Sequence, residues 1–210
     1  MENILGVILA GGLARRLGGV DKGLVEVGGA PILARLVARL RPQCRALALN
    51  ANGDPARFAA FDPPVIADGV GGFAGPLAGV LAGMDHAASL SPAPSAILTV
   101  PADTPFVPMD LAERLHEARE TAHAEIAVAT SAGRVHHAVA LWPVALREEL
   151  RAALARGEGR VSGFIARFES VDVEWPAAPY DPFFNVNRPE DLEVAEAIAR
   201  KARAGEQGEG

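Results

Sequence analysis

With one cysteine, Cys44, the 210-residue chain can form no intramolecular disulfide. That places it in a reducing compartment, the cytoplasm. No apolar run approaches the ~18–20 residues that a membrane-spanning helix needs. The apolar stretch 4–10 follows Glu2 rather than a basic leader and runs into Gly11-Gly12, so it reads as a buried strand, not a secretory signal. Positive charge is not in excess either: 20 Lys and Arg face 26 Asp and Glu, a net charge of −6. A general nucleic-acid binder would show a basic surface. No stretch rich in Pro, Gly or Ser divides the chain, and no internal repeat is visible. Residues 1–203 therefore read as one domain and the Gly/Glu-rich residues 204–210 as a flexible tail. Two familiar nucleotide fingerprints are also missing, the G-x-x-x-x-G-K-[ST] loop and the G-x-G-x-x-G turn.

What the chain has is apolar residues, at 50% of the total. A chain of this size buries roughly 70% of its unfolded surface and folds without staples. Short apolar runs at 4–10, 46–50, 64–67 and 95–100 predict buried strands. Ile32, Leu33, Leu36, Val37 and Leu40 fall at helical spacing. Pro76 marks the start of a helix reaching residue 88, and a further amphipathic helix covers 111–120. Later strands are expected at 125–130, 135–142 and 168–175. Helices are expected near 143–155 and 160–166 and after Pro189. Alternating strands and helices predict an α/β domain around a mainly parallel sheet. Charge is uneven: residues 1–45 hold seven basic and three acidic side chains, a net of +4, leaving −10 for the rest. A positive segment in an acidic protein fits a specific anion site.

That segment contains Leu9-Ala10-Gly11-Gly12, then Arg15-Arg16-Leu17-Gly18-Gly19-Val20-Asp21-Lys22-Gly23. A glycine-rich loop after a first parallel strand lets backbone N–H groups approach phosphates. Arginine grips a phosphate bidentately and lysine adds a compact charge. The plain alternative is a solvated strand–helix loop. Asp103, just past the strand at 95–100, sits where open α/β sheets bind ligands. It is either a hard ligand for Mg²⁺ or a turn former before Thr104-Pro105. Asn50 and Asp68, also at strand ends, are either nucleoside contacts or turn caps. Jointly these residues outline a nucleotide site with Mg²⁺.

The same segments, with Asn50-Ala51-Asn52, Gly75-Pro76-Leu77-Ala78-Gly79, Asp103-Thr104-Pro105 and Asn185-Val186-Asn187 before Pro189-Glu190-Asp191-Leu192, resemble the molybdenum cofactor guanylyltransferase (MobA) family over about residues 4–195. That resemblance implies a Rossmann-like three-layer nucleotidyltransferase fold. It implies transfer of GMP from GTP to the terminal phosphate of Mo-molybdopterin, with Mg²⁺ as cofactor. Leu9, Ala10, Gly11 and Gly12 would cradle the nucleotide, Lys22 would contact phosphate, and Arg16 would support activity. Asn50 and Asp68 would contact guanosine, Asp103 would hold the metal, and Asn185 and Asn187 would face the pterin. Molybdoenzymes or their chaperones are the implied handover partners. The second glycine of Leu-Ala-Gly-Gly favours GTP, since cytidylyl relatives more often resemble Leu-Ala-Ala-Gly. A cytidylyl or sugar-phosphate nucleotidyltransferase and a non-catalytic cofactor carrier are the alternatives. The chain departs from the family at Ala102, at Ala138 after His137, and at Arg188. His136 and His137 read as polar strand or loop residues.

Overall fold

The computed structural model describes residues 3–11, 13–14, 20–69 and 75–208, with residues 13, 14, 20 and 202–208 described in backbone only. The chain begins with strand β1 (Ile4–Leu9). Two short antiparallel pairs follow, β2 (Leu13–Ala14) with β3 (Val20–Asp21), and β4 (Glu26–Val27) with β5 (Ala30–Pro31). Then come α1 (Ile32–Leu40), β6 (Ala46–Asn50), β7 (Val65–Ile66), α2 (Pro76–Ser89), β8 (Ala96–Pro101) and α3 (Leu111–Ala122). The last part holds β9 (Ile126–Ser131), β10 (Arg134–Pro143), α4 (Arg147–Ala155), α5 (Val161–Ile165), β11 (Ser170–Trp175) and α6 (Pro189–Gly208).

Among the described residues, seven strands form the central sheet in the order β11-β9-β10-β8-β1-β6-β7. The pairs β1–β6, β1–β8, β6–β7 and β9–β11 are parallel. Only β10 runs antiparallel to its neighbours, β8 and β9. A parallel sheet needs cover on both faces, and period-two alternation supplies it. Ile4 and Ile8 of β1, with Leu98 and Val100 of β8, pack into a core under α1, α3 and α6. Leu5, Val7 and Ile97 face the opposite core under α2, α4 and α5. The result is the expected three-layer arrangement.

Helix α1 buries Ile32, Leu33, Leu36 and Leu40 and leaves its arginines at the rim. Helix α2 starts at Pro76, where a missing N–H costs nothing, and is buried almost all round between β1 and α4. Helix α6 continues to Gly208, into the segment expected as a tail. Among the described residues no helix is long and apolar enough to cross a membrane.

The chain order sets the functional edge. From β1 the chain steps to β6 and β7 on one side, then crosses back to β8 on the other. Adjacent loops therefore diverge at the C-terminal ends of β1 and β8. That divergence opens the crevice where open α/β sheets bind ligands.

Candidate active site

Each flank of that crevice gathers polar side chains. On the β8 side, Pro101 ends the strand and Asp103 follows it. The Asp103 backbone carbonyl accepts the Val186 N–H at 2.9 Å, which pins the segment 185–187 against the strand end. Lys22 Nζ lies 2.8 Å from Asp103 Oδ2 and also donates to Asn187 Oδ1. Asn185 Nδ2 donates to Asp103 Oδ1 at 2.8 Å and to Thr104 Oγ1 at 3.2 Å. Both Asp103 oxygens thus receive N–H donors from residues far away in sequence. The Lys22 and Asp103 side chains keep 24% and 13% of their exposure, enough for a ligand to reach both. Asn187 is held in turn: Asp191 Oδ2, in the first turn of α6, accepts the backbone N–H groups of Asn187 and Arg188 at 2.9 Å each.

The other flank lies over β6 and β7. Asn50 is buried, and its Nδ2 donates to Asp68 Oδ1 at 2.9 Å and to the Ile66 carbonyl at 3.3 Å. Asn52 Nδ2 donates to Asp68 Oδ2 at 2.7 Å, while Asn52 Oδ1 accepts the Asp68 N–H at 2.9 Å. The Asp68 carboxylate is fixed by two carboxamides yet remains only half-buried. Between the flanks, the Ala10 N–H donates to the Asn50 carbonyl at 2.8 Å and the Ala102 N–H to the Leu9 carbonyl at 3.0 Å. Leu9 and Ala10 therefore run between the two clusters, and Gly11 follows them into the open. Gly12, Arg15 and Arg16 lie outside the described residues.

To several residues of the site the sequence assigned no role, although two of them, Asn52 and Gly79, stand in the motifs quoted above. Asn52 is one. Gly79 is another: a Cβ there would stand 2.3 Å from Asn50 Oδ1 and 2.8 Å from Leu9 Cδ2, so only glycine lets α2 approach the buried carboxamide. Arg57 is a third. Its Nε lies 3.3 Å from the buried Asp21, its guanidinium donates to the Asn52 carbonyl, and it stacks 4.9 Å from the centre of the Phe58 ring. Arg57 thus ties the residue before Lys22 to the cluster around Asp68.

Beyond Asn185 the crevice continues as two clefts, of about 210 Å³ and 360 Å³, which share Arg134 and Asn185. His136 lines the smaller one. It lies in β10, as a polar strand or loop residue would, and its Nε2 lies 2.7 Å from Ser131 Oγ, which in turn donates to Asp181 Oδ1 at 2.7 Å. Burial holds the His136 imidazole below its usual range, helped by Arg134 and His137 and opposed by Asp181 and Glu174. A larger cavity, about 520 Å³, opens beside Ile4 at the amino ends of the strands and includes none of these residues.

The oxygens in this cluster, the Asp103 carboxylate, Thr104 Oγ1 and Asn187 Oδ1, are hard ligands, with no thiolate or imidazole beside them. Among the described residues no group of three or more His, Cys, Asp or Glu side chains gathers as a metal cage. Mg²⁺ commonly takes one or two carboxylates and completes its shell with phosphate and water, so a single carboxylate suits it.

Comparison with known proteins shows the family and the fold. The profile of a family described as "MobA-like NTP transferase domain" matches residues 6–171. A protein named molybdenum cofactor guanylyltransferase, from a strain of Rhodopseudomonas palustris, is 58% identical over 194 residues, covering 92% of each chain. The solved structure of molybdopterin-guanine dinucleotide biosynthesis protein A from Archaeoglobus fulgidus superposes with a TM-score of 0.74 at 22% identity, covering 94% of this chain and 99% of that one. The 2-C-methyl-D-erythritol 4-phosphate cytidylyltransferase of Thermus thermophilus shares the fold, with a TM-score of 0.65 at 23% identity over 95% and 100% of the two chains. At such identities the structural likeness speaks for the fold alone. The matched span and the sequence identity speak for more, and the chain belongs to the MobA-like NTP transferase family, alongside the molybdenum cofactor guanylyltransferases.

Proposed function

We propose that the protein transfers GMP from GTP to the terminal phosphate of Mo-molybdopterin, releasing pyrophosphate and forming the guanine dinucleotide. One observation carries the reading. Lys22, Asp103, Asn185 and Asn187 converge from distant parts of the chain at the switch-point crevice, beside a second polar cluster suited to a nucleoside. The relative at 58% identity bears the matching name.

In this reading a terminal phosphate oxygen of the acceptor attacks the α-phosphorus of GTP in line. A P–O bond forms, the bond to the β-phosphate oxygen breaks, and the electron pair leaves on pyrophosphate. A phosphate nucleophile is already anionic, so no strong general base is needed. What the protein supplies is positioning and charge neutralisation. Leu9, Ala10, Gly11 and Gly12 offer backbone to the nucleotide. Asn50 and Asp68 receive the guanosine, and a fixed carboxylate is a natural acceptor for its N–H groups. Lys22 turns from Asp103 toward the triphosphate and leaves Asp103 Oδ2 open. Arg16 supports activity. Asp103 is the residue that would hold Mg²⁺, which would supply charge neutralisation for the triphosphate. Asn185 and Asn187 border the acceptor. The setting is cytoplasmic, with handover to molybdoenzymes or their chaperones as a later step.

The test combines protein, Mg²⁺, molybdate-loaded molybdopterin and each nucleoside triphosphate in turn, reading pyrophosphate and the nucleotide joined to the pterin. GMP from GTP alone is expected. Lys22→Ala and Asp103→Ala should each cut turnover by about 10²–10³, the range for loss of one preorganised charge contact. Normal turnover in either folded variant overturns the assignment. CMP on the pterin would move the protein to the cytidylyl group, and GTP binding without any product would make it a carrier.

A further inference from the structure

Ser131 is fully buried at the end of β9, and its hydroxyl carries one proton for two neighbours. Asp181 Oδ1 and His136 Nε2 both stand 2.7 Å from its oxygen. A carboxylate only accepts, so the Ser131 proton points to Asp181. His136 Nε2 must then bear a hydrogen and donate it to Ser131 Oγ. Asp181 Oδ1 also accepts the Phe183 N–H at 2.9 Å, which fixes the far end of the relay. The tautomer of His136 is thereby set from outside the ring, in the manner of a positioned imidazole.

The consequence falls on the other nitrogen. Burial lowers the ring's pKa from its usual value and so favours the neutral form, in which Nδ1 carries a bare lone pair. Among the described residues Nδ1 has no hydrogen-bond partner, and it is not among the side-chain atoms sealed from solvent. The ring packs at 4.9 Å and 42° against Phe183, itself held edge-on by Trp175. It lines the 210 Å³ cleft together with Thr104 and Asn185, and both of these contact the group around Asp103.

A neutral acceptor beside the phosphate-handling cluster does not serve a phosphate, which has no proton to give once ionised. It serves a donor. The cleft is also small against the ~300–1,000 Å³ of ordinary ligand pockets, so it takes one ring system rather than a whole dinucleotide. We infer that His136 is an acceptor-binding residue whose Nδ1 receives an N–H from the fused nitrogen heterocycle of the acceptor, with Ser131 and Asp181 as the residues that position it. The inference rests on the pterin reading of the acceptor given above.

Two substitutions separate contact from support. His136→Asn keeps an acceptor oxygen near the place of Nδ1 and gives up the reach to Ser131. His136→Gln keeps a donor toward Ser131 and gives up the acceptor. Guanylyl transfer is measured at varied Mo-molybdopterin, with GTP affinity measured separately. The expected result is an acceptor KM raised roughly threefold to tenfold in His136→Ala and His136→Gln, the worth of one neutral hydrogen bond. His136→Asn should recover part of that loss, with GTP affinity unchanged throughout. A His136→Gln variant that behaves as wild type while His136→Asn fails would make the histidine a structural tie to Ser131 and overturn the inference. So would an unchanged acceptor KM in all three. The wild-type protein provides a check that needs no variant: ¹⁵N spectra should show His136 protonated at Nε2, with Nδ1 shifting on addition of Mo-molybdopterin. Hydrogen on Nδ1, or no shift at saturating acceptor, overturns it. A wild type that makes no guanylylated pterin at all overturns the function itself, a result distinct from these.

Discussion

Replacing Gly79 by alanine should separate the stability of α2 from its service to the site. In a helix interior Gly→Ala normally stabilises by about 1 kcal/mol, because glycine loses more backbone freedom on folding. Here the added Cβ would stand 2.3 Å from Asn50 Oδ1 and 2.8 Å from Leu9 Cδ2. Two responses are open. If the carboxamide stays, the overlap costs about 1–3 kcal/mol, as for other overpacked cores. If it rotates away, the buried Asn50 loses its 2.9 Å bond to Asp68 at a similar cost of about 1–3 kcal/mol. Set against the helical gain, the net loss is about 0–2 kcal/mol. A chain of this length would then melt roughly 0–8 °C lower. The nucleotide should suffer more, since Asn50 and the end of β1 are displaced together. GTP affinity should fall about tenfold or more, equivalent to ~1.4 kcal/mol or above. Calorimetric titration with GTP and a thermal melt on the same sample read both quantities. A Gly79→Ala protein that melts higher and binds GTP within twofold of wild type would refute the reasoning, because the clash would then have relaxed without touching the site.

Arg57→Ala removes the tie between Asp21 and Asn52. The fully buried limit of ~3–5 kcal/mol for a broken ion pair does not apply, because Arg57 keeps 29% exposure. A loss of about 1–3 kcal/mol and a raised KM for GTP are expected, measured by denaturant melts and initial rates; an unchanged KM would detach Arg57 from the site. Without divalent cations, Lys22→Ala should weaken GTP binding, and Lys22→Ala with Asp103→Ala should recover part of it, since the bare carboxylate no longer repels the triphosphate. Titration of the single and double variants in chelator decides this, and a double variant weaker than the single one would refute it. Burial pushes the Cys44 thiol up to about 12. The neutral thiol therefore stabilises the fold fully below its ordinary value, and that contribution is lost as pH rises from there toward about 12. Native Cys44 should resist alkylation at pH 8–9 and react once unfolded, so free-thiol rates in the native protein would refute the burial.

The legible part of the site was the part written in local signals. An apolar run stopping at glycines gives β1 and its loop, and Pro76 after Gly75 gives the start of α2. Asp103 after Pro101 lands at the sheet edge because a parallel strand must end there. The elements with no local signal were the ones missed. Apolar alternation over 135–142 says strand but not direction, so β10 could not be read as the antiparallel member. The turn before it, with Ala132 and Gly133 at φ of 49° and 70°, brings β10 back along β9. Register then shifts between the pairs Val135–Thr130 and Ala140–Val128. Such irregularities re-aim side chains beside active sites, and His136 falls within this one. Asp181, which accepts from Ser131, arrives from a loop 50 residues further on, a meeting that no spacing in the sequence announces. Arg57 was invisible for the same reason, and Gly79, though it stands in the 75–79 motif, showed no role there, since their meaning lies in Asp21 and Asn50 across the fold.

The arrangement also accounts for how an acidic chain can receive a polyanion. With a net charge of −6, unpaired carboxylates in the crevice would repel a triphosphate. On the phosphate side they are not unpaired: Asp103 holds Lys22 and Asp21 holds Arg57. Asp68, whose carboxylate is held among the described residues by two carboxamides, sits across β1 over β6 and β7. That is where an uncompensated acceptor helps, because a guanine edge brings N–H donors and no charge. In the proposed reading, neutral pairs toward the phosphates and the Asp68 carboxylate toward the base would orient the nucleotide before any step of the reaction, and Lys22 would leave its pair when the triphosphate arrives. On that reading the resting ion pair would gate Asp103, released by the same ligand that needs it.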